Sequence, residues 1–186
     1  VSQLPYKYGN EIDVDFLDLC KDNVHYLRNF KCGFNNIDKF IRNSALKDSE
    51  TVTYFAIDKK LDVVIAILTI SCSGILVDNK SFLKRYRYVV PAIDIRYFAI
   101  NEKFQHIKYS QNEKELTLGH QIFLLYLSKI RDISKNICGA TKVILYSVPT
   151  ACNFYKRCKF KEFAEYMTKD ENPYLKGCKP MFLSLN

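Results

Sequence analysis

The spacing of apolar residues predicts strands alternating with helices. Stretches 51–58 (TVTYFAID) and 63–72 (VVIAILTISC) are rich in β-branched and aromatic residues, which suit a pleated surface. The polar KKLD between them reads as a turn, so the two predict an antiparallel hairpin. Ahead of it, Ile37, Phe40, Ile41 and Ala45 recur at helical spacing, and Asn35 or Asn36 is placed to cap the first turn. Further upstream, VDFLDLCKD fits a short helix or a strand equally. Residues 74–90 carry a mixed pattern, and Pro91 then opens a strand, AIDIRYFAI. Residues 101–116 are polar and read as a loop. A long helix over 119–138 follows, with Ile122, Leu125, Leu127 and Ile130 on its buried face and Gly139 suited to a left-handed cap. KVILYSV is a strong strand that Pro149 ends; 151–158 is a short helix, and FKEFAEYM and PMFLSL are two late strands.

A strand, a long helix and a second strand imply a locally parallel pair, whereas the hairpin is antiparallel. The expected fold is therefore α/β (α+β): a mixed, mostly antiparallel sheet flanked by helices, with a cleft beside the central strand.

Length and composition narrow this further. A chain of 186 residues, 48% hydrophobic, is expected to form one domain over 1–186. No apolar run approaches a membrane span, and the first residues lack a leader pattern, so a cytoplasmic protein is expected. Seven cysteines, an odd number with no Cys-x-x-Cys, read as small buried thiols, not as a disulfide framework. With no histidine pair at i, i+4, no metal is expected. The net charge of +8 favours an anionic partner, which leaves a nucleotide cofactor, RNA, a membrane surface or simple solubility open.

The junction from the strand at 92–100 to the helix at 119–138 has the form of an anion site, since free N–H groups at a helix start attract phosphate. Lys103, Lys108 and Lys114 would add charge there or merely face solvent. AIDIRYFAINEKFQ, KELTLGHQIFLLYL and VILYSVPTACNFYKRCKF together resemble the GNAT superfamily of N-acetyltransferases. The first resembles the strand whose backbone pairs with the pantetheine arm of acetyl-CoA, here Phe98, Ala99 and Ile100. The second resembles the phosphate loop and its helix, here Lys114, Thr117, Leu118, Gly119 and His120; Lys114 and Thr117 depart from the usual Gln or Arg and Gly, while Gly119 keeps the last marked position. The third resembles an Ala-x-x-Phe-Tyr-x-x-x-Gly-Phe motif through Ala151, Phe154, Tyr155 and Phe160, with Lys159 in place of glycine, so the turn there is expected to differ. The resemblance adds Asn153 to the cofactor contacts and implies that Tyr155 protonates the departing CoA thiolate; a core tyrosine is the plainer alternative. Asp94 and Glu102 are carboxylates near the strand that either solvate it or relay a proton through water.

FKCGFNNIDKFIRNSA resembles the opening shared by many small GNAT proteins, including toxins of toxin–antitoxin modules, through Phe30, Cys32, Gly33, Asp38, Phe40 and Ala45. That resemblance implies an aminoacyl-tRNA acceptor, an antitoxin partner and a homodimer. KRYRY at 84–88 and YKRCKFK at 155–161 supply Lys84, Arg85, Arg87, Lys156 and Arg157 as candidate RNA contacts, with tyrosines interleaved for stacking. A protein or small-molecule amine as acceptor, or a non-catalytic CoA-binding module, remain as alternatives.

Overall fold

The computed structural model describes residues 2–5, 11–80, 85–108, 117–163 and 175–185. Lys84, Lys114 and the second half of FKEFAEYM lie outside them. The strands are β1 (Ser2–Pro5), β2 (Glu11–Asp18), β3 (Val52–Asp58), β4 (Val63–Lys80), β5 (Arg85–Ile100), β6 (Lys142–Ser147), β7 (Lys161–Glu162) and β8 (Lys179–Ser184). The α-helices are α1 (Asn35–Asn43), α2 (Leu118–Ile133) and α3 (Cys152–Arg157). The strand order is β1-β2-β3-β4-β5-β6-β8-β7. The chain divides into two compact units, Val1–Ile70 with Tyr97–Tyr126, and Ser71–Arg96 with Leu127–Asn186.

In the first unit, β1, β2, β3 and the start of β4 pair antiparallel, including Ser2↔Val14, Val14↔Asp58 and Val52↔Ile70. The ambiguous segment around Phe16 is thus a strand, held between two others. Both faces of this sheet are covered, which is why β3 is buried continuously from Thr53 to Asp58 and shows no alternation. On one face Leu27, Phe30, Ile41, Phe55, Ile57, Val64, Ile67 and Ala99 form a core. Val64 and Ile67 are three apart yet share it, because the register against β3 slips between Ala56 and Ile57, a bulge that re-aims alternate side chains. On the other face, Phe98 meets Phe123 of α2 at 4.6 Å between ring centroids, and the Tyr126 hydroxyl donates to the Ala66 carbonyl at 3.1 Å.

Neither Asn35 nor Asn36 caps α1. The residue ahead of the helix is Phe34, with no side-chain cap bond; the Asp38 N–H instead donates to the Phe34 carbonyl at 2.9 Å. The Asp38 carboxylate is buried and accepts from the Cys32 N–H at 2.9 Å. That ties down the Cys-Gly turn, where Gly33 has φ +86°.

In the second unit, β4 and β5 extend through most of the region that the sequence left mixed. β5 pairs parallel with β6 from Ala92↔Lys142 to Ile95↔Leu145, and β6 pairs antiparallel with β8. Of FKEFAEYM, Lys161–Glu162 is strand and pairs with β8. The long helix leaves the α form at Ile133 and closes on a π turn, Ser134–Cys138. Gly139 then takes the expected left-handed cap, φ +64°, its N–H donating to the Ser134 carbonyl at 2.7 Å. All seven cysteines are free thiols.

Candidate active site

The first unit carries the strand end and helix start expected to hold a cofactor. Alternation along β5 sends Tyr97 and Ala99 to the α1 side, and Phe98 to α2. Gly119 opens the approach of strand to helix: a Cβ there would lie 3.1 Å from Ile100 Cγ1. Phe98, Ile100 and Gly119 are therefore brought together. The Thr117 hydroxyl turns back to accept from the His120 N–H at 3.3 Å. The Leu118 N–H donates to the Ile107 carbonyl at 2.8 Å. Of these first amides, the Gly119 N–H carries no bond among the described residues, at the positive end of a sixteen-residue helix, and suits an anionic group. His120 is buried. Just before it, β5 is anchored by Asn101, whose side chain donates to the Val64 carbonyl at 2.9 Å and accepts from the Lys103 N–H at 3.2 Å.

The second unit carries the strand pair and the tyrosine. The described β5–β6 register ends at Ile95↔Leu145, yet β5 goes on through Arg96, and β6 through Tyr146 and Ser147. Two parallel strands that stop pairing while both continue leave backbone for another extended chain to bond. Tyr155 is on α3 and 9% exposed. Its ring meets Phe154 at 5.2 Å and Phe160 at 5.8 Å, edge to face in both cases. Burial, with smaller contributions from the Cys158 and Cys152 thiols, pushes the Tyr155 phenol well above its ordinary range. Burial likewise pushes the Cys158 thiol up to about 12. Asn153 is exposed.

No family model matches the sequence, and a search of curated proteins finds no relative. Solved structures do match. One described as a bacterial toxin aligns over 93% of this chain and 91% of its own, with TM-score 0.69 and 20% identity. AtaTR bound with AcCoA aligns over 93% and 94%, with TM-score 0.68 and 18% identity. AtaT complexed with acetyl-methionyl-tRNAfMet aligns over 92% and 95%, with TM-score 0.66 and 16% identity. The chain has the GNAT fold. At these identities the likeness is one of fold.

In the turn after α3, where the sequence has no glycine, Lys159 itself takes the left-handed conformation that glycine favours, φ +70°. The expected RNA contacts are less uniform. Tyr86 and Tyr88 are strand neighbours two apart, stacked at 6.1 Å, while Arg87 belongs to the opposite face. Cations and rings interleaved in sequence are thus separated in space. Lys156 lies 2.6 Å from Glu162 Oε1, so its charge already meets a carboxylate, whereas Arg157 is exposed. A 220 Å³ cavity lined by Val24, Leu27, Arg28 and Arg42 includes none of the expected residues. Sequence reading weighed Asp94 but missed its partner Arg96, which pairs with it at 3.0 Å. The signal was there: Asp-x-Arg on a strand puts both side chains on one face. Among the described residues, no helix is long and apolar enough to cross a membrane.

Proposed function

We propose that the protein is an N-acetyltransferase that moves an acetyl group from acetyl-CoA to a primary amine by direct attack, with aminoacyl-tRNA as acceptor. The observation that carries this reading is the parallel β5–β6 pair that stops at Ile95↔Leu145 while both strands continue, in a fold shared with a structure holding AcCoA. The tRNA acceptor is supported by the likeness to AtaT in complex with acetyl-methionyl-tRNAfMet and by the charge of +8. An antitoxin partner is supported in the same way by the matching structure of an AtaT mutant toxin bound to the C-terminus of the antitoxin AtaR and Acetyl-CoA.

Acetyl-CoA supplies the activated acyl group and a thiolate leaving group. Phe98, Ala99 and Ile100 offer strand backbone to its arm, and the Gly119 N–H, flanked by Thr117, Leu118 and His120, receives a phosphate, with Lys114 and Asn153 as further contacts. The amine attacks the thioester carbon, the C–S bond breaks, and the amine's proton passes to solvent. Tyr155 works as a hydrogen-bond donor to the developing thiolate. Its raised pKa keeps the phenol protonated at neutral pH but makes complete transfer to a thiolate uphill, because ordinary thiols titrate near ~8.5. Donation without full transfer still stabilises the charge on sulfur.

The test is transfer of labelled acetyl from acetyl-CoA to charged total tRNA, beside uncharged tRNA. Label on the charged tRNA alone is the expected result. No label with acetyl-CoA bound would move the acceptor to a protein or small-molecule amine. Failure to bind acetyl-CoA would overturn the reading.

A further inference from the structure

Arg96 is the first β5 residue beyond the last parallel pair, Ile95↔Leu145. Its Nε reaches Asp94 Oδ2 at 3.0 Å and donates to Ser71 Oγ at 3.2 Å. Both partners are buried, Asp94 at 8% exposed and Ser71 at 9%, while the Arg96 side chain keeps 49% exposure. Residues two apart on a strand share a face, so this arrangement requires no distortion. Each bond is made by Nε, and the terminal nitrogens face no second carboxylate among the described residues.

The result is a guanidinium held at its inner nitrogen and open at its outer edge. An unanchored arginine loses rotamer freedom on binding; here the anchoring is already done. The outer edge is a planar fork of donors, the geometry that receives phosphate through two parallel bonds. The chain's net charge of +8 draws the same class of ligand.

We propose that Arg96 receives a phosphate of a nucleic-acid acceptor where β5 and β6 part, with Asp94 and Ser71 as positioning residues. The proposal rests on the acetyltransferase reading above. It names the feature of the acceptor that the protein recognises beside the amine: a phosphodiester within one nucleotide of the aminoacyl ester, at the 3′ end of the RNA.

The test uses protein saturated with CoA, its loading measured first, so that the cofactor's own phosphate contacts are filled. The Arg96 Nε–H resonance, assigned by its loss in Arg96→Lys, is followed while 5′-AMP, adenosine or acetate is added. 5′-AMP is expected to shift it and adenosine to leave it unmoved. In parallel, acetyl transfer to 3′-aminoacyl-adenosine is compared with and without a 5′-phosphate. The phosphorylated acceptor is expected to have a kcat/KM about tenfold higher, through KM, and Arg96→Gln to abolish that preference. Ser71→Ala and Asp94→Asn, which keep the arginine, are expected to reduce it without changing CoA affinity. An Arg96 signal that ignores 5′-AMP in CoA-loaded protein, or that answers acetate alone, overturns this proposal and leaves the acetyltransferase reading standing. Protein that does not load CoA overturns both.

Discussion

The Phe160 N–H donates to the Tyr155 carbonyl at 3.0 Å, and the two rings meet edge to face with centroids 5.8 Å apart. With the Lys159 N–H bonded to the Lys156 carbonyl at 3.0 Å, this closes α3 in a Schellman motif, complete with its hydrophobic contact. The motif fixes the last turn of the helix that carries Tyr155. It needs one left-handed residue, and Lys159 fills that place at φ +70°. A side chain there costs about 1–2 kcal/mol, which glycine avoids at some cost in chain entropy. Lys159→Gly is expected to raise stability by roughly 1 kcal/mol in urea unfolding. Lys159→Val, with a branched Cβ, is expected to lower it. No difference between the two would mean that the turn relaxes.

Tyr155→Phe keeps the ring and its packing and removes only the hydroxyl. The expected loss in kcat is about a hundredfold, with acetyl-CoA affinity and melting temperature nearly unchanged. The pH profile separates roles further. A donor must be protonated to act, and the Tyr155 phenol is raised by burial, so its alkaline limb moves upward. The wild type should show no loss of kcat assignable to tyrosine up to the ordinary phenol value near ~10. A limb below that, absent in Tyr155→Phe, would contradict the raised phenol.

The thiols should divide by burial. Cys32 and Cys158 are buried and raised to about 12, while Cys20, Cys72 and Cys138 are exposed. At pH 8 a thiol of that pKa is about one part in ten thousand thiolate. Iodoacetamide followed by mass spectrometry should mark Cys20, Cys72 and Cys138 first. The same shifts carry a sign for stability. Above the unfolded thiol value, the folded state holds protons that the unfolded state has lost, so stability falls as pH rises from 9.0 toward 12. A midpoint of urea unfolding that is flat across that range would contradict it.

Asp38 holds a buried carboxylate against the Cys32 N–H. Asp38→Ala leaves that amide without its acceptor and is expected to cost about 2–3 kcal/mol. Asp38→Asn, which keeps an acceptor oxygen, should cost less. Equal losses would mean that the carboxylate's charge, which asparagine lacks, is what matters.

Much of this fold was legible because burial wrote it into the sequence. TVTYFAID and VVIAILTISC show no polar–apolar alternation because α1 packs on one face and α2 on the other. The parallel pair followed from the length of the connection, and the reading of ACNFYKRCKF from its resemblance to a GNAT motif. The extension of β4 and β5 was not legible, since Tyr86, Arg87, Tyr88 and Val89 are all exposed and leave no buried face to produce a pattern. The helix cap was misread because the residue ahead of the helix is Phe34, which has no side-chain acceptor, while the Asp38 carboxylate turns back to the Cys32 N–H ahead of the helix. Lys159 hid a glycine conformation behind a lysine. Arg96 was overlooked because a single charged residue in a strand looks like solvated surface until its two buried anchors are seen.

Among the described residues, the parallel register of β5 with β6 begins at Ala92. Ahead of it, Tyr86, Tyr88 and Val89 are 50%, 46% and 62% exposed. A strand edge with such side chains is a template on which another copy of the same chain can add. Arg87 in its midst is then a gatekeeper: like charge brought face to face discourages stacking of one molecule on the next. Such repulsion fades as salt rises. The cations read as RNA contacts would thus also keep the protein dispersed, and bound RNA, by neutralising them, would remove the guard from that edge.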